Sequence, residues 1–98
     1  MIDWKKIDGF DWDVGNTSKN EVHQVSMAEA EQVFFNEPLI ILQDVKHSRI
    51  EYRFHALGMT TDGRKLHITF TLRSSSTQIR VISARDMHKK ERLIYEAT

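Results

Sequence analysis

Arginine and histidine side chains recur in the second half of the chain at a spacing that can bring them together. Residues 52–59 and 65–73 alternate between apolar and polar types, as β-strands do, and residues 78–84 form a third predicted strand. If these strands pair in chain order, alternation directs one set of side chains to one face: Arg53, His55, His67, Thr69, Arg73 and Arg80. Guanidinium groups grip phosphate oxygens and imidazoles transfer protons near neutral pH. The set therefore predicts a face that binds phosphodiesters, with an ordinary solvated sheet face as the alternative.

A second basic group lies on the last strand and beyond it. The strand at 78–84 has apolar residues on both faces, which predicts an interior position in the sheet. Asp86 is expected to cap a C-terminal helix, whose apolar side is Met87, Ile94 and Tyr95. The basic residues of this strand–helix unit are Arg80, Arg85, Lys89, Lys90 and Arg92. A rigid cationic unit suits a phosphate backbone. The alternative is that the basic residues of the helix only form its solvent-exposed side.

The first half of the chain is predicted to supply helices and edge strands. We expect a short edge strand at 10–13 with Phe10 and Trp12 inward, a short helix at 16–23 and a strand at 39–42. Between them, Ser26 and Glu29 have capping-box spacing and begin a helix with an apolar side of Ala28, Ala30, Val33, Phe34 and Phe35. Asp62-Gly63 predicts a hairpin turn.

This order of elements predicts one α+β domain over residues 1–98. Its mainly antiparallel sheet, of about four to five strands, is expected to be flanked by two N-terminal helices and one C-terminal helix.

Composition narrows the class of protein. The chain has no cysteine, no Gly-rich phosphate loop and no metal-ligand motif, so we expect neither cofactor nor metal. It has no long apolar run, so we expect a cytoplasmic protein without a membrane anchor. Net charge is zero, but residues 1–50 carry −4 and residues 51–98 carry +4. This asymmetry predicts a bipolar surface, unless the two signs intermix on folding.

Residues across most of the chain resemble one known family. The matching positions, in order, are Trp12-Asp13, Asn20, His23, Val25-Ser26, Glu29-Ala30, Val33-Phe34, Pro38, Asp44, His47-Ser48, Glu51, Arg53, Gly58, Arg73, Ile82-Ser-Ala-Arg85, Glu91-Arg92 and Tyr95-Glu96. This ordered set is similar to BrnT, the ribonuclease toxin of a bacterial type II toxin–antitoxin pair.

The resemblance implies a RelE-like fold and a BrnA-type antitoxin partner. It also implies a toxin–antitoxin heterotetramer that reaches operator DNA only through the antitoxin. The chain departs from the family at Asn16 and Val22, where relatives carry lysine, and at Gln24, where they carry glycine. His55 and His67 also stand where many relatives have other residues. The lost lysines are expected to weaken substrate or antitoxin contacts rather than the fold.

A ribonuclease that works without a metal needs a base for the 2′-hydroxyl, cations for the phosphate and an acid for the leaving oxygen. In our hypothesis, the residues that bind and stabilise the phosphate are Arg53, Arg73, Arg80 and Arg85. Proton transfer is assigned to His47 or His67. Further RNA contacts are expected from Lys65, Thr69, Lys89 and Arg92. The alternative is a catalytically weakened module of the same scaffold, which binds nucleic acid or a protein without cleavage.

Overall fold

A five-stranded sheet with the strand order β1-β5-β4-β3-β2 forms the centre of the protein. The structure is a computed structural model that describes residues 2–13, 23–47 and 51–98. The strands are β1 (Gly9–Phe10), β2 (Ile40–Gln43), β3 (Arg53–Met59), β4 (Lys65–Arg73) and β5 (Gln78–Asp86), and the α-helices are α1 (Met27–Val33) and α2 (Lys89–Glu96). Short 3₁₀ turns lie at Trp4–Lys6 and Val45–His47. β1 pairs with β5 in parallel, and the other pairs are antiparallel.

Two tight turns join the three long strands into a meander. Gly63 has a φ of +89° in the turn from β3 to β4, a conformation that glycine adopts without steric cost. The turn from β4 to β5 holds Ser74, Ser75 and Ser76 at positive φ, and the Thr77 hydroxyl donates to the Ser74 carbonyl over 2.7 Å. The hairpin predicted from Asp62-Gly63 is therefore confirmed.

One face of the sheet packs against α1 and forms the main core. Leu66, Ile68 and Phe70 of β4 are fully buried there, as alternation along the strand predicts. The Ser26 hydroxyl accepts from the Glu29 amide and the Glu29 carboxylate accepts from the Ser26 amide, so the predicted capping box begins α1. This core holds the strands rigid beneath the opposite face.

A β-bulge at Ile82 changes the alternation of β5. Phe70 pairs with Val81, but Thr69 pairs with Ser83, so Ile82 is an extra residue on β5. Strict alternation would send Arg80 and Arg85 to opposite faces, because an odd number of steps separates them. The bulge instead brings both arginines to the face away from α1.

The C-terminal helix packs on this second face, at one end of the sheet. Its Tyr95 forms a small apolar cluster with Leu57 and Met87, and the Tyr95 hydroxyl donates to the Pro38 carbonyl over 2.6 Å. The helix thereby becomes one wall of a cleft over β3, β4 and β5.

The α+β class and the order of the three long strands are confirmed, and several details of the prediction are wrong. The first strand is shorter than predicted and is parallel to β5, so the sheet is mixed. Asp86 ends β5 and does not cap α2, whose N-cap is His88. Ala28 lies on the exposed side of α1, and Phe35, which follows the end of α1 at Val33, is also exposed.

Within the described residues there are two α-helices rather than three. The helix predicted at 16–23 falls almost wholly outside those residues. No helix in the described ranges has the length and apolar character needed to cross a membrane.

Candidate active site

The face opposite α1 carries three rows of side chains in register across β3, β4 and β5. At one end the row is Arg53, Thr71 and Arg80. The middle row is His55, Thr69 and Ser83, and the third is Leu57, His67 and Arg85. Arg73 lies two residues beyond Thr71 on the same face. The face predicted from alternation, with Arg53, Arg73 and Arg80, is therefore present, and Arg85 lies on it as well.

A cleft of about 530 Å³ lies between the two last rows and α2. Its polar lining comes from both strands and helix: His55, His67, Thr69, Ser83, Arg85 and Glu91. Leu42 and Ile94, both more than half exposed, are apolar residues at this cleft. The cleft has the features of a small-ligand or nucleotide site, which combine apolar walls with a few convergent polar groups.

His55 is held by a carboxylate and a hydroxyl. Its Nε2 lies 3.0 Å from Asp44 Oδ2, and its Nδ1 lies 3.0 Å from Thr69 Oγ1. Because an ionised carboxylate only accepts, Nε2 is assigned the proton and Nδ1 accepts from the threonine hydroxyl. This arrangement fixes the orientation and the tautomer of the imidazole.

His67 lies at the floor of the cleft with a side chain that is only 12% exposed. Its ring centroid is 4.8 Å from that of His55, and its Nε2 is 3.8 Å from Glu91 Oε2. Among the described residues its Nδ1 finds no hydrogen-bond partner. Burial, with the positive charge of Arg85, lowers the pKa of His67 to about 4 and outweighs the opposing effect of Glu91. The imidazole is therefore neutral at physiological pH.

Arg85 and Glu91 form a bidentate ion pair across the cleft, from the end of β5 to the first turn of α2. The two guanidinium nitrogens donate to the two carboxylate oxygens over 2.8 and 3.0 Å. The Arg85 hydrogen bonds, assisted by the backbone amide of His88, lower the pKa of Glu91 to about 2. The Glu91 carboxylate therefore occupies the two guanidinium donors of Arg85 that a phosphate group would use.

The other three predicted phosphate ligands form a separate group at the far end of the face. Arg73 is paired with Glu51, and Arg80 lies 2.7 Å from Asp11 and 3.7 Å from Asp13. The row that contains Arg80 and the row that contains Arg85 cross β4 four residues apart, which corresponds to about 13 Å at roughly 3.3 Å per residue. The four arginines therefore share a face but do not surround one atom.

These ion pairs also decide how charge is distributed on the sheet. Acidic residues from the first fifty positions neutralise arginines from the second half, as the contacts of Arg80 with Asp11 and Asp13 show. The signs intermix at this face, so the alternative to a strictly bipolar surface describes it better.

The remaining predicted site residues have varied surroundings. Lys65 is bound to Glu96 over 2.6 Å, and Thr69 contacts His55. Lys89 is exposed on α2, and Arg92 donates to the Met87 carbonyl over 2.8 Å. His47 belongs to the Val45–His47 turn, but its side chain lies outside the described part of the structure. Their proposed roles in RNA binding and proton transfer stay predictions.

Asp44 and Glu91 were not among the predicted site residues, and His55 was predicted only as a member of the basic face, yet all three belong to the polar network of the cleft. Alternation along β3 places His55 on the correct face, so the sequence holds a signal for it. For Glu91 the sequence offers no comparable signal, because its position depends on how α2 packs. Within the described ranges no group of three or more acidic or histidine side chains could hold a metal ion.

Comparison with protein families places residues 12–91 among the ribonuclease toxins of type II toxin–antitoxin systems. The matching family is described as the ribonuclease toxin BrnT of these systems, and the match covers most of the chain. The chain belongs to the BrnT family, as its resemblance predicts. Comparison with curated proteins gives no match. Family membership implies an antitoxin partner and an RNA target.

Proposed function

We propose that this protein is a metal-independent endoribonuclease that cleaves RNA through attack by the 2′-hydroxyl, and so inhibits translation and growth. The observation that carries the proposal is the meeting of Arg85, Glu91, His67 and His55 in one open cleft. These side chains offer a phosphate ligand and groups for proton transfer without a metal.

Arg85 is the proposed ligand of the scissile phosphate. Its fork already binds a planar anion, because Glu91 accepts both of its hydrogen bonds. When phosphate oxygens replace this carboxylate, the guanidinium stabilises the charge that builds on phosphorus. Arg53, Arg73 and Arg80 lie further along the same face and would hold neighbouring phosphates of the strand.

Glu91 and His67 are the proposed proton-transfer pair. Once Arg85 turns to the phosphate, the pKa of Glu91 rises and its carboxylate can accept the 2′ proton. The phosphate charge likewise raises the pKa of His67, so that the imidazole takes up a proton from solvent and then transfers it to the leaving 5′ oxygen. His55, oriented by Asp44, stabilises the neighbouring ring and the position of Thr69. The products are a 2′,3′-cyclic phosphate and a 5′-hydroxyl.

The test is digestion of purified RNA with EDTA present, beside an oligonucleotide with one 2′-deoxy sugar at the mapped cleavage position. We expect cleavage of the RNA and resistance of the deoxy-substituted substrate. Arg85→Ala and Glu91→Gln should each lower the cleavage rate at least about 100-fold. Lys6→Ala, which removes an exposed charge from the Trp4–Lys6 turn, is the matched control. Cleavage that needs added metal, or an unaffected Arg85→Ala variant, would contradict the mechanism.

A second candidate is a catalytically weakened BrnT-like module that binds RNA or protein without cleavage. The carboxylates on Arg73, Arg80 and Arg85 favour it, because each competes with phosphate for a guanidinium group. Expression without an antitoxin separates the two: a ribonuclease arrests growth, whereas a binding module is tolerated.

The proposal extends to the partners. A BrnA-type antitoxin would neutralise the protein in a heterotetramer, and the complex would bind operator DNA through the antitoxin. A RelE-like fold and a cytoplasmic location complete this proposal. Size-exclusion chromatography with light scattering of the co-expressed pair tests the stoichiometry.

A further inference from the structure

An apolar groove of about 680 Å³ lies on the opposite side of the sheet from the cleft. It runs between the Trp4–Lys6 turn, β1 and the end of α1, and its apolar lining is Trp4, Ile7, Phe10, Phe34, Phe35 and Leu39. None of these residues contributes to the proposed ribonuclease mechanism. The groove therefore calls for a separate explanation.

Two large aromatic side chains are left open to solvent in this groove. Phe35 is 78% exposed and Trp4 is 42% exposed. Both are nevertheless held by ring contacts: Phe35 lies 6.3 Å from Phe10, and Trp4 lies 6.4 Å from Phe34, between centroids. Phe34 continues into the core through an edge-on contact of 5.1 Å with Phe70. Aromatic side chains that are ordered before a partner arrives are typical of binding hot spots.

The polar part of the groove lining is acidic. Asp8, Glu31 and Glu37 line it, and among its described lining residues there is no lysine or arginine. Glu31 also accepts a hydrogen bond of 2.8 Å from the Trp12 indole, which fixes its carboxylate. An occupant should therefore be apolar where it meets the rings and basic where it meets the carboxylates.

This chemistry excludes two other occupants. RNA would bring phosphates against three carboxylates, which is unfavourable. A second copy of this chain, in a symmetric contact, would place acidic groove against acidic groove. A protein segment of opposite charge fits both the rings and the rim.

We propose that the groove is a docking site for the antitoxin, through an apolar segment flanked by lysine or arginine. This inference rests on the proposed function, since it assigns a surface to the neutralising partner. Because the groove and the cleft lie on opposite faces of the sheet, docking in the groove anchors the antitoxin without using the cleft.

Phe35→Glu is the sharpest test, because it changes an exposed residue that follows α1. The matched control is Leu93→Glu, at a 59% exposed leucine of α2 that lines neither the groove nor the cleft. The probe is a purified BrnA-type antitoxin, titrated calorimetrically. We expect Phe35→Glu to weaken its binding at least about tenfold, and Leu93→Glu to leave the binding unchanged.

RNA cleavage separates this inference from the proposed function. Phe35→Glu should cleave RNA like the wild-type protein while it escapes neutralisation, whereas failure of cleavage in the wild type would concern the mechanism alone. Unchanged antitoxin binding by Phe35→Glu would overturn the docking site. The docking site would also be overturned if Phe35→Glu lost RNA binding, or if its only effect were a loss of self-association.

A charge reversal tests the acidic rim independently. Asp8→Lys with Glu37→Lys, both at exposed positions, should weaken binding and remove much of its dependence on ionic strength. A designed amphipathic peptide of leucine and lysine should compete with the antitoxin, and its leucine–glutamate counterpart should not. Competition by both peptides alike would overturn the assignment of a basic partner.

Discussion

Replacing His67 by Gln should remove one component of the pH dependence of stability. Burial and Arg85 lower the pKa of His67 from 6.5 to about 4 in the folded protein. The unfolded chain therefore takes up a proton at a pH where the folded protein does not. The stability contributed by the neutral ring is complete above pH 6.5 and is lost as the pH falls towards 4.

The size of this component follows from the pKa difference. Each pKa unit corresponds to about 1.4 kcal/mol, so His67 should cost the wild-type protein about 3 kcal/mol of unfolding free energy by pH 4. Between these limits the slope is about 1.4 kcal/mol per pH unit. Glu91 acts in a lower range, since its stabilising effect is lost as the pH falls from 4.5 towards 2.

The assay is urea unfolding followed by tryptophan fluorescence, at intervals from about pH 7.5 to about pH 4.5. The difference in unfolding free energy between wild type and His67→Gln should shrink by about 1.4 kcal/mol per pH unit below pH 6.5. His88→Gln, at an exposed histidine, controls for the loss of one imidazole. A constant difference between wild type and His67→Gln would refute the reasoning, because it would mean that His67 titrates alike in both states.

Three further predictions concern contacts that hold the sheet and its flanking segments together. Gly58→Ala should destabilise the protein by about 1–3 kcal/mol in urea unfolding, because the new methyl carbon would lie 2.6 Å from Val33 Cγ1. Tyr95→Phe should cost about 1 kcal/mol, because it removes the hydrogen bond to the Pro38 carbonyl at the base of α2. Arg64→Lys should cost about 1 kcal/mol, because lysine cannot reproduce a fork that binds two carboxylates and two backbone carbonyls.

Each of these predictions has an outcome that contradicts it. The cost of Gly58→Ala should fall in a Val33→Ala background, and an equal cost in both would show that the clash is not its cause. Tyr52→Phe, at an exposed tyrosine, should leave stability unchanged. A similar loss of stability in both variants would show that the hydrogen bond of Tyr95 is not the cause. An Arg64→Lys variant as stable as the wild type would show that its hydrogen bonds contribute nothing net.

Local patterns predict much of the fold. Alternation along β4 identifies its buried side, and the spacing of Ser26 and Glu29 identifies the start of α1, because both depend on near neighbours in the chain. The parallel pairing of β1 with β5 is different. It joins residues that lie about seventy positions apart, and no local pattern encodes it.

The site is predicted less completely than the fold. Alternation brings Arg53, His55 and His67 to one face, but only packing determines that α2 folds over it and delivers Glu91. The exposure of Phe35 has the same origin. Its apolar type indicates burial, yet the helix ends before the residue and leaves the ring at the surface.

The extra residue Ile82 changes which positions of β5 face α1. Upstream of it, odd-numbered positions of β5 point to α1, and downstream of it even-numbered ones do. A register in which Ile82 entered the ladder as a paired residue would restore strict alternation, turn Arg85 towards the apolar layer and bring Ala84 to the cleft. The two halves of the arginine face are thus aligned by one unpaired residue, and flattening this bulge would disable the cleft without altering any of the side chains that line it.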